Sequence, residues 1–239
     1  MGQSWLFPKL TCCPQFILNT LRSGLTQPFA FELILHHHVK ELESQNNILL
    51  ILLSHNWKHY SAVAAKCGLN LKKKKSDIIS GEEVEENKID SVDIFDYDYV
   101  YNDPFDYTFD WALFTEDISA KVNFLPHNSI VLIDDLSVLL SLDVTSSSIY
   151  RFVRLLRKEL TKKQSILFIA SNYVQEDEQM HQLITSLIYE CDTWLDCNNP
   201  KSGYSSHING IAKFNSKIDG SSFEMNYKLL NRNVIFTKI

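Results

Sequence analysis

The stretch Ser129-Ile130-Val131-Leu132-Ile133-Asp134-Asp135 decides the fold class of this 239-residue chain. It holds four successive apolar residues and ends in two acids. An apolar run without polar alternation is typical of a strand that is covered on both faces of a parallel sheet. Two further runs, at 48–53 and 165–170, have the same character. Because these runs alternate with amphipathic helical patterns, the sequence predicts an α/β domain with a mostly parallel sheet flanked by helices.

The remaining elements are predicted from hydrophobic periodicity and from turn and cap residues. The predicted helices lie at about 30–43, 57–68 and 146–163, with a cap at 146–148 for the third, and a fourth begins near Glu176. The predicted strands lie near 48–53, 77–80, 129–134, 165–170, 193–196, 208–214, 223–229 and 234–238. The last strands follow one another without helices, so we expect antiparallel strands that extend one edge of the sheet.

Charge and proline content indicate three regions. Residues 1–28 contain three prolines and predict a loosely structured N-terminal arm, and residues 29–239 predict a single domain. Within that domain, residues 82–117 form an acidic insertion with 13 acids and one base, whereas the rest of the chain has a net charge of +6. The insertion is also rich in Phe, Tyr and Trp, which is typical either of a partner surface or of an excursion packed on its own domain.

The composition indicates a soluble protein. Apolar residues make up 45% of the chain, and the longest apolar run, 48–53, is far shorter than the roughly 20 residues of a membrane span. The first six residues have no cationic stretch of the kind that begins a secretory signal. Five cysteines without two-residue spacing favour reduced thiols, and packing is favoured over redox chemistry for Cys191 and Cys197. We therefore expect a cytoplasmic location, with the nucleus as a second one, and no membrane contact.

Asp134 and Asp135 resemble the acids of a Walker B strand, which hold magnesium in nucleotide hydrolases. The alternative is that one of them caps the turn that follows the strand. A working site also needs a glycine-rich phosphate loop with a lysine. The place for that loop is residues 21–28, before the first predicted helix, and it contains one glycine and no Gly-Lys-Ser/Thr sequence. We therefore expect a vestigial site without nucleotide cofactor or autonomous hydrolysis.

Basic residues gather in two places, which are candidate nucleic-acid contacts. The first is Lys72, Lys73, Lys74 and Lys75. The second is a stripe on the predicted helix at 146–163, formed by Arg151, Arg154, Lys158 and Lys162. Each group is typical either of a phosphate-binding surface or of a solvated face. The successive histidines at 36–38 point about 100° apart on a helix, so they cannot converge on one metal ion.

Two stretches resemble the Elongator complex protein 6 family. The segment from His59 to Leu69 resembles the helix after that family's second strand, and residues 131–142 resemble its most recognisable run. The order of predicted elements agrees from about Ala30 onward. The run is followed by Asp143 where the family pattern has Gly, and neither the N-terminal arm nor the acidic insertion matches the family.

The resemblance implies a RecA-like domain of the P-loop NTPase type that lacks nucleotide-binding loops. It implies that the chain joins the fourth and fifth Elongator subunits in a hetero-hexameric ring with two copies of each. The ring would bind tRNA and support the catalytic Elongator subunits, which modify the wobble uridine, so this chain would be a non-catalytic subunit. Two alternatives stay open: a degenerate NTPase subunit that lends Asp134 or Asp135 to a nucleotide site shared with a neighbour, and a scaffold that never contacts RNA.

Overall fold

The computed structural model describes residues 15–22, 48–55, 57–66, 92–96, 109–200, 208–230 and 234–238. The strands are β1 (Phe16–Arg22), β2 (Ile48–Leu52), β3 (Val92–Asp96), β4 (Ile130–Asp134), β5 (Ile166–Tyr173), β6 (Thr193–Asn198), β7 (Gly210–Ser216), β8 (Ser222–Leu229) and β9 (Val234–Lys238). The helices are α1 (Trp57–Lys66), α2 (Trp111–Phe124), α3 (Val138–Ser141), α4 (Ser146–Lys162) and α5 (Glu178–Glu190). The predicted helix at 30–43 and strand at 77–80 lie outside the described residues.

The strands formed by the described residues belong to one sheet, in the order β3-β2-β4-β5-β1-β6-β7-β8-β9. The first six strands in this order are parallel. From β6 to β9 the pairing is antiparallel. The α/β prediction, with a mostly parallel sheet and antiparallel C-terminal strands, is therefore confirmed.

The buried strands place alternate side chains on opposite faces of the sheet, as the period of two requires. In β4, Ile130 and Leu132 pack on the face that α1 covers through Tyr60 and Ala64. Val131 and other odd-numbered residues of β4 pack on the opposite face, with the apolar stripes of α2, α4 and α5. Right-handed crossovers that run in opposite directions along a sheet give this division of helices between its faces.

Side-chain caps define where the longer helices begin. Thr145 caps α4 by accepting a hydrogen bond from the backbone N–H of Ser148. The predicted helix is confirmed, but the prediction that residues 146–148 cap it is wrong, because they already form its first turn. Asp177 caps α5 in the same way through the N–H of Met180. Asp110 caps α2 through the N–H of Leu113.

The N-terminal arm predicted at 1–28 is wrong for Phe16–Arg22. These residues form β1, a buried strand between β5 and β6 in the middle of the sheet. Two of its polar side chains have buried partners: Thr20 donates to Asp196 at 2.9 Å, and the side-chain oxygen of Asn19 accepts from the Cys197 thiol at 3.6 Å, whereas the Asn19 amide nitrogen is buried without a hydrogen-bond partner. Because Asn19 and Thr20 interrupt its apolar residues, β1 lacks the continuous apolar run that identified β2, β4 and β5.

The acidic insertion at 82–117 includes regular structure that the sequence did not predict. Residues 92–96 form β3, an edge strand parallel to β2. The insertion's last residues belong to α2, which buries Phe114, Ile118 and Val122 against the sheet. No helix in the described part of the chain is both long and apolar enough to cross a membrane.

Candidate functional site

The carboxyl ends of the parallel strands bring the site candidates to one edge of the sheet. Asp134 ends β4 and Arg22 ends β1, while Asp196 lies near the end of β6. Ligands of open α/β sheets bind outside this edge, where the chain reverses the direction in which it adds strands. This edge is therefore the place to test the predicted Walker B acids.

Asp134 is held by a tyrosine on α1. Its side chain is 1% exposed, and Oδ2 accepts a 2.6 Å hydrogen bond from the Tyr60 hydroxyl. The Tyr60 hydroxyl also lies 3.3 Å from Oγ of Ser54, just past the end of β2. Burial raises the pKa of the Asp134 carboxyl to about 7, although the hydrogen bond from Tyr60 acts in the opposite direction. Asp134 is therefore a buried group whose protonated form is favoured by its surroundings.

Asp135 is held by the backbone and by two polar side chains. Its Oδ1 accepts hydrogen bonds from the N–H of Ser137 at 2.8 Å and from the Ser137 hydroxyl at 2.7 Å. It also accepts from the N–H of Asn172 at 3.1 Å, and the Asn172 side-chain amide donates to Oδ2. Asp135 thus caps the turn after β4 and joins that turn to the end of β5, which agrees with the capping alternative.

This arrangement leaves little for a metal–nucleotide complex to bind. A Walker B acid reaches magnesium through solvent, whereas these two side chains are 1% and 7% exposed. Within the described ranges, no three His, Cys, Asp or Glu side chains are grouped so that they could hold a metal ion. One oxygen, Oδ1 of Asp134, is buried without a hydrogen-bond partner. The geometry therefore supports a structural role for both acids.

A second polar cluster occupies the same edge at β1 and β6. Asp196, which is buried, accepts hydrogen bonds from Thr20 at 2.9 Å and from the Arg22 guanidinium at 3.4 Å. Trp194 donates from its indole nitrogen to the Thr20 hydroxyl at 2.9 Å. The Arg22 guanidinium also lies 5.0 Å from the centre of the Tyr173 ring. These contacts hold Arg22, the last residue of β1, in place. The stretch where a phosphate loop would begin follows directly after it.

The predicted basic stripe lies on the solvent side of α4, and its four members differ in their contacts. Arg154 is 3.5 Å from Glu190, and Lys162 is 2.7 Å from Glu159. Arg151 and Lys158 are exposed and form no ion pair with another described residue. Arg151 lines a groove of about 750 Å³ between α2 and α4. Lys72, Lys73, Lys74 and Lys75 lie outside the described residues, as do the histidines at 36–38.

Arg157, which was not among the predicted site residues, anchors α4 to the rest of the domain. Its guanidinium binds Asp192 at 2.8 Å and Glu190 at 3.1 Å, and it also donates to the Glu190 carbonyl. Asp192 in turn accepts a 2.7 Å hydrogen bond from the backbone N–H of Phe16 in β1. In the sequence, helical periodicity alone separates Arg157 from the basic stripe. Arg157 lies on the partly buried side of α4, whereas the stripe lies on its solvent side.

The two described cysteines are buried packing residues. Cys191 and Cys197 are free thiols, and burial raises the pKa of the Cys191 thiol to about 11. Burial also raises the pKa of Cys197 well above its ordinary value. Because the thiolate is the reactive form, neither group is a nucleophile at neutral pH.

The fold and the site define a class of protein: an α/β sheet protein whose carboxyl edge carries Walker B-like acids that are buried and held by other groups of the protein. The family model described as Elongation complex protein 6 matches residues 113–229, from the first turn of α2 to the end of β8. Over this region, which is just under half of the chain, the sequence has the pattern of this family, and the match supports an accessory subunit of the Elongator complex that associates with other Elongator subunits. No curated protein sequence matches the chain significantly.

One departure from the family pattern has a clear conformation. Asp143, where the resemblance to the family predicts Gly, follows α3 with a φ of 60°. This is the left-handed region, which Gly enters freely and Asp more readily than most other residues. The backbone therefore keeps the turn that a glycine favours, with an aspartate in place.

Proposed function

We propose that the chain is a non-catalytic Elongator subunit that joins the fourth and fifth subunits in a hetero-hexameric ring of RecA-like domains. The ring would bind tRNA and support wobble-uridine modification by the catalytic subunits, in the cytoplasm and also in the nucleus. The observation that carries this proposal is that other protein groups hold Asp134 and Asp135 at the carboxyl edge, where both side chains are buried. A nucleotide hydrolase needs at least one of these acids free for its metal ion.

The position of β1 supports the RecA-like part of the proposal. In a P-loop protein, the phosphate loop joins a buried parallel strand to the helix that follows it. β1 is such a strand, and the residues after it read Ser23-Gly24-Leu25-Thr26-Gln27-Pro28, without the Gly-Lys-Ser/Thr sequence. A RecA-like domain that has lost nucleotide binding would keep this buried strand and would lack the phosphate loop after it.

Exposed cations support the tRNA part. Arg151 and Lys158 stand on the solvent side of α4 and lack an ion-pair partner among the described residues, so they are free to meet phosphates. Phosphate contacts give RNA affinity that falls steeply with salt and depends little on base sequence. With two copies of the chain in a ring, modest contacts would add through avidity. Lys72–Lys75 would form a second contact.

A second function is a degenerate NTPase subunit that lends an acid to a neighbour's phosphate loop. The unpartnered Oδ1 of Asp134 favours this alternative, since a bound metal could use it. The burial of the same side chain opposes it, because the Tyr60 hydrogen bond and α1 would have to move first. The two functions therefore differ in one measurable property, the affinity for Mg-ATP.

Calorimetry with Mg-ATP tests the two functions. We expect no micromolar binding to the isolated chain, and we expect any binding by its complex with the fourth and fifth subunits to be the same when the chain carries Asp134→Ala. Asp134→Ala serves as the matched variant. Micromolar binding that disappears in Asp134→Ala would replace the proposal with the NTPase alternative.

Co-expression tests the assembly. With the fourth and fifth subunits, the chain should elute as a stoichiometric complex of six chains, measured by light scattering and native mass spectrometry. RecA-like domains associate edge to edge. A subunit that has no nucleotide site of its own is therefore expected to act as part of the ring. A monodisperse monomer in the presence of both partners would contradict the proposed ring.

A further inference from the structure

Helix α2 carries an exposed apolar stripe on the side that faces away from α4. Leu113 is 52% exposed and Phe124 is 90% exposed, and the exposed Ala120 lies between them. The spacing of seven and four residues puts the three side chains on one line along the helix. The stripe covers three turns, about 16 Å at the α-helical rise.

The same helix is already apolar on the side that packs against the sheet. Phe114, Ile118 and Val122 are buried there. A helix that is apolar on two sides is normally covered on both, because each exposed large apolar side chain leaves favourable burial unused. Since Phe124 is almost fully exposed, no residue in the described part of the chain covers the second side.

The charges around the stripe indicate what covers it. Glu116 and Asp117 are exposed on the outer surface of α2. Asp110, which caps the helix, is also exposed, and Lys121 is the basic residue of α2, so the helix and its cap have three acids and one base. A field of this sign attracts a basic partner and repels RNA. The stripe therefore differs in charge from the solvent side of α4, where the exposed cations lie.

We propose that this stripe docks an amphipathic helix of a protein partner, whose apolar ridge is flanked by lysine and arginine. The ridge would pack on Leu113, Ala120 and Phe124, and the cations would pair with Glu116 and Asp117. Helix-on-helix packing of this type uses anchors that recur on one side of a helix, as Leu113, Ala120 and Phe124 do at spacings of seven and four residues. The inference rests on the proposed function only in taking an Elongator subunit as the source of that helix.

Site-specific photo-crosslinking within the native complex tests the inference. A benzophenone amino acid replaces Phe124 in the full chain, which is then isolated with its bound Elongator subunits, irradiated and analysed by mass spectrometry. Tyr189 on α5, which is 81% exposed, is the matched control position. We expect position 124 to crosslink at least tenfold more than position 189, to one basic amphipathic segment of a partner. The double substitution Glu116→Lys and Asp117→Lys should reduce that crosslink at least fivefold.

Crosslinks from position 124 to RNA or to a second copy of this chain, or a yield equal to that at position 189, would overturn the inference. A crosslink to an acidic or wholly apolar segment would do the same. If the chain forms the six-chain ring but position 124 fails in this way, the docking inference alone is lost. If the crosslinked helix belongs to neither the fourth nor the fifth subunit, the docking inference stands, and the proposed ring is judged separately by the co-expression experiment.

Discussion

The Tyr60 hydroxyl donates a 2.6 Å hydrogen bond to Oδ2 of Asp134, and the two residues are 74 positions apart in the sequence. Both side chains are almost fully buried. The bond joins α1 to the carboxyl end of β4, at the point where a nucleotide hydrolase would hold its metal ion. The same carboxylate that looks like a catalytic remnant in the sequence is therefore part of the packing between a helix and the sheet.

This burial predicts a stability that depends on pH. The Asp134 pKa is about 7 in the folded chain, against about 3.9 for an unfolded aspartate. Because the folded state raises this pKa, the stabilising contribution is fully present below pH 4 and is lost as the pH rises through 7. The change amounts to about 4 kcal/mol in the free energy of unfolding over that range.

The substitution Asp134→Asn tests this prediction, since it keeps an acceptor for Tyr60 and removes the titration. We expect the unfolding free energy of the variant, relative to the natural chain, to increase steadily between pH 5 and pH 8. Urea unfolding at several pH values, followed by circular dichroism, measures it. Asp219→Asn on the exposed turn between β7 and β8 is the control. A difference between Asp134→Asn and the natural chain that stays constant with pH would contradict the assignment.

Gly210 has no room for a side chain. A Cβ atom at this position would lie 2.4 Å from the Tyr227 ring, which is buried beside it on β8. Tyr227 cannot move away without disturbing the core around it. We expect Gly210→Ala to lower the unfolding free energy by about 1–3 kcal/mol, the usual cost of overpacking.

Thermal unfolding of Gly210→Ala measures this cost, and a second substitution identifies its cause. Combining Gly210→Ala with Tyr227→Leu removes the ring atoms that clash, so the alanine should cost less in that background than in the natural chain. Equal costs in both backgrounds would show that Tyr227 is not the obstacle.

Asp143 is expected to respond to substitution according to its backbone. With φ at 60°, Asp143→Gly removes left-handed strain and should leave the stability unchanged or raise it by up to about 1 kcal/mol. Asp143→Val should lower it by about 1–2 kcal/mol, because a β-branched residue is strained in this region. Chemical denaturation of the two variants gives the difference. A valine variant as stable as the glycine variant would contradict the argument.

The exposed cations of α4 are expected to affect tRNA binding by the assembled ring. Arg151→Glu combined with Lys158→Glu should weaken binding at least fivefold and reduce its salt dependence, since each removes a phosphate contact. Arg154 is left in place because a glutamate there would face Glu190, the present partner of Arg154. Lys58→Glu, an exposed charge reversal on α1 and the other face of the sheet, is the control. Unchanged affinity in the α4 variant would remove α4 from the proposed tRNA surface, and unchanged affinity after charge reversal of Lys72–Lys75 as well would limit this subunit to scaffolding.

The parallel strands were predictable where a continuous apolar run marked them, as at 130–134 and 166–170. β1 was not, because burial of Asn19 and Thr20 depends on Cys197 and Asp196, which lie far away in the sequence. Its neighbouring prolines also favoured an irregular arm. Periodicity detects which face a residue occupies, but it cannot detect a partner that only the tertiary fold provides.

Helix α2 was missed for a related reason. Its apolar residues lie on two sides, with Phe114 buried and Phe124 exposed, so no single stripe stands out. It also begins within an acidic segment, whose composition is typical of a solvated loop. At the site, the acids of β4 were located correctly from the sequence, and their roles were left open between metal binding and capping. Their partners Tyr60, Ser137 and Asn172 were needed to distinguish the two.

The central place of β1 has a consequence for how the molecule is made. Residues 16–22 leave the ribosome early, yet their neighbours are β5 and β6, in which Phe16 pairs with Leu167 and Ile17 with Thr193. The two halves of the sheet can therefore join only after most of the chain has been synthesised, and such distant pairing is slow. A fragment limited to residues 113–229 would lack the strand between β5 and β6 and would expose two unpaired edges, which favour aggregation. During translation, β1 therefore has neither of its neighbours to pair with until residues 166–198 begin to leave the ribosome.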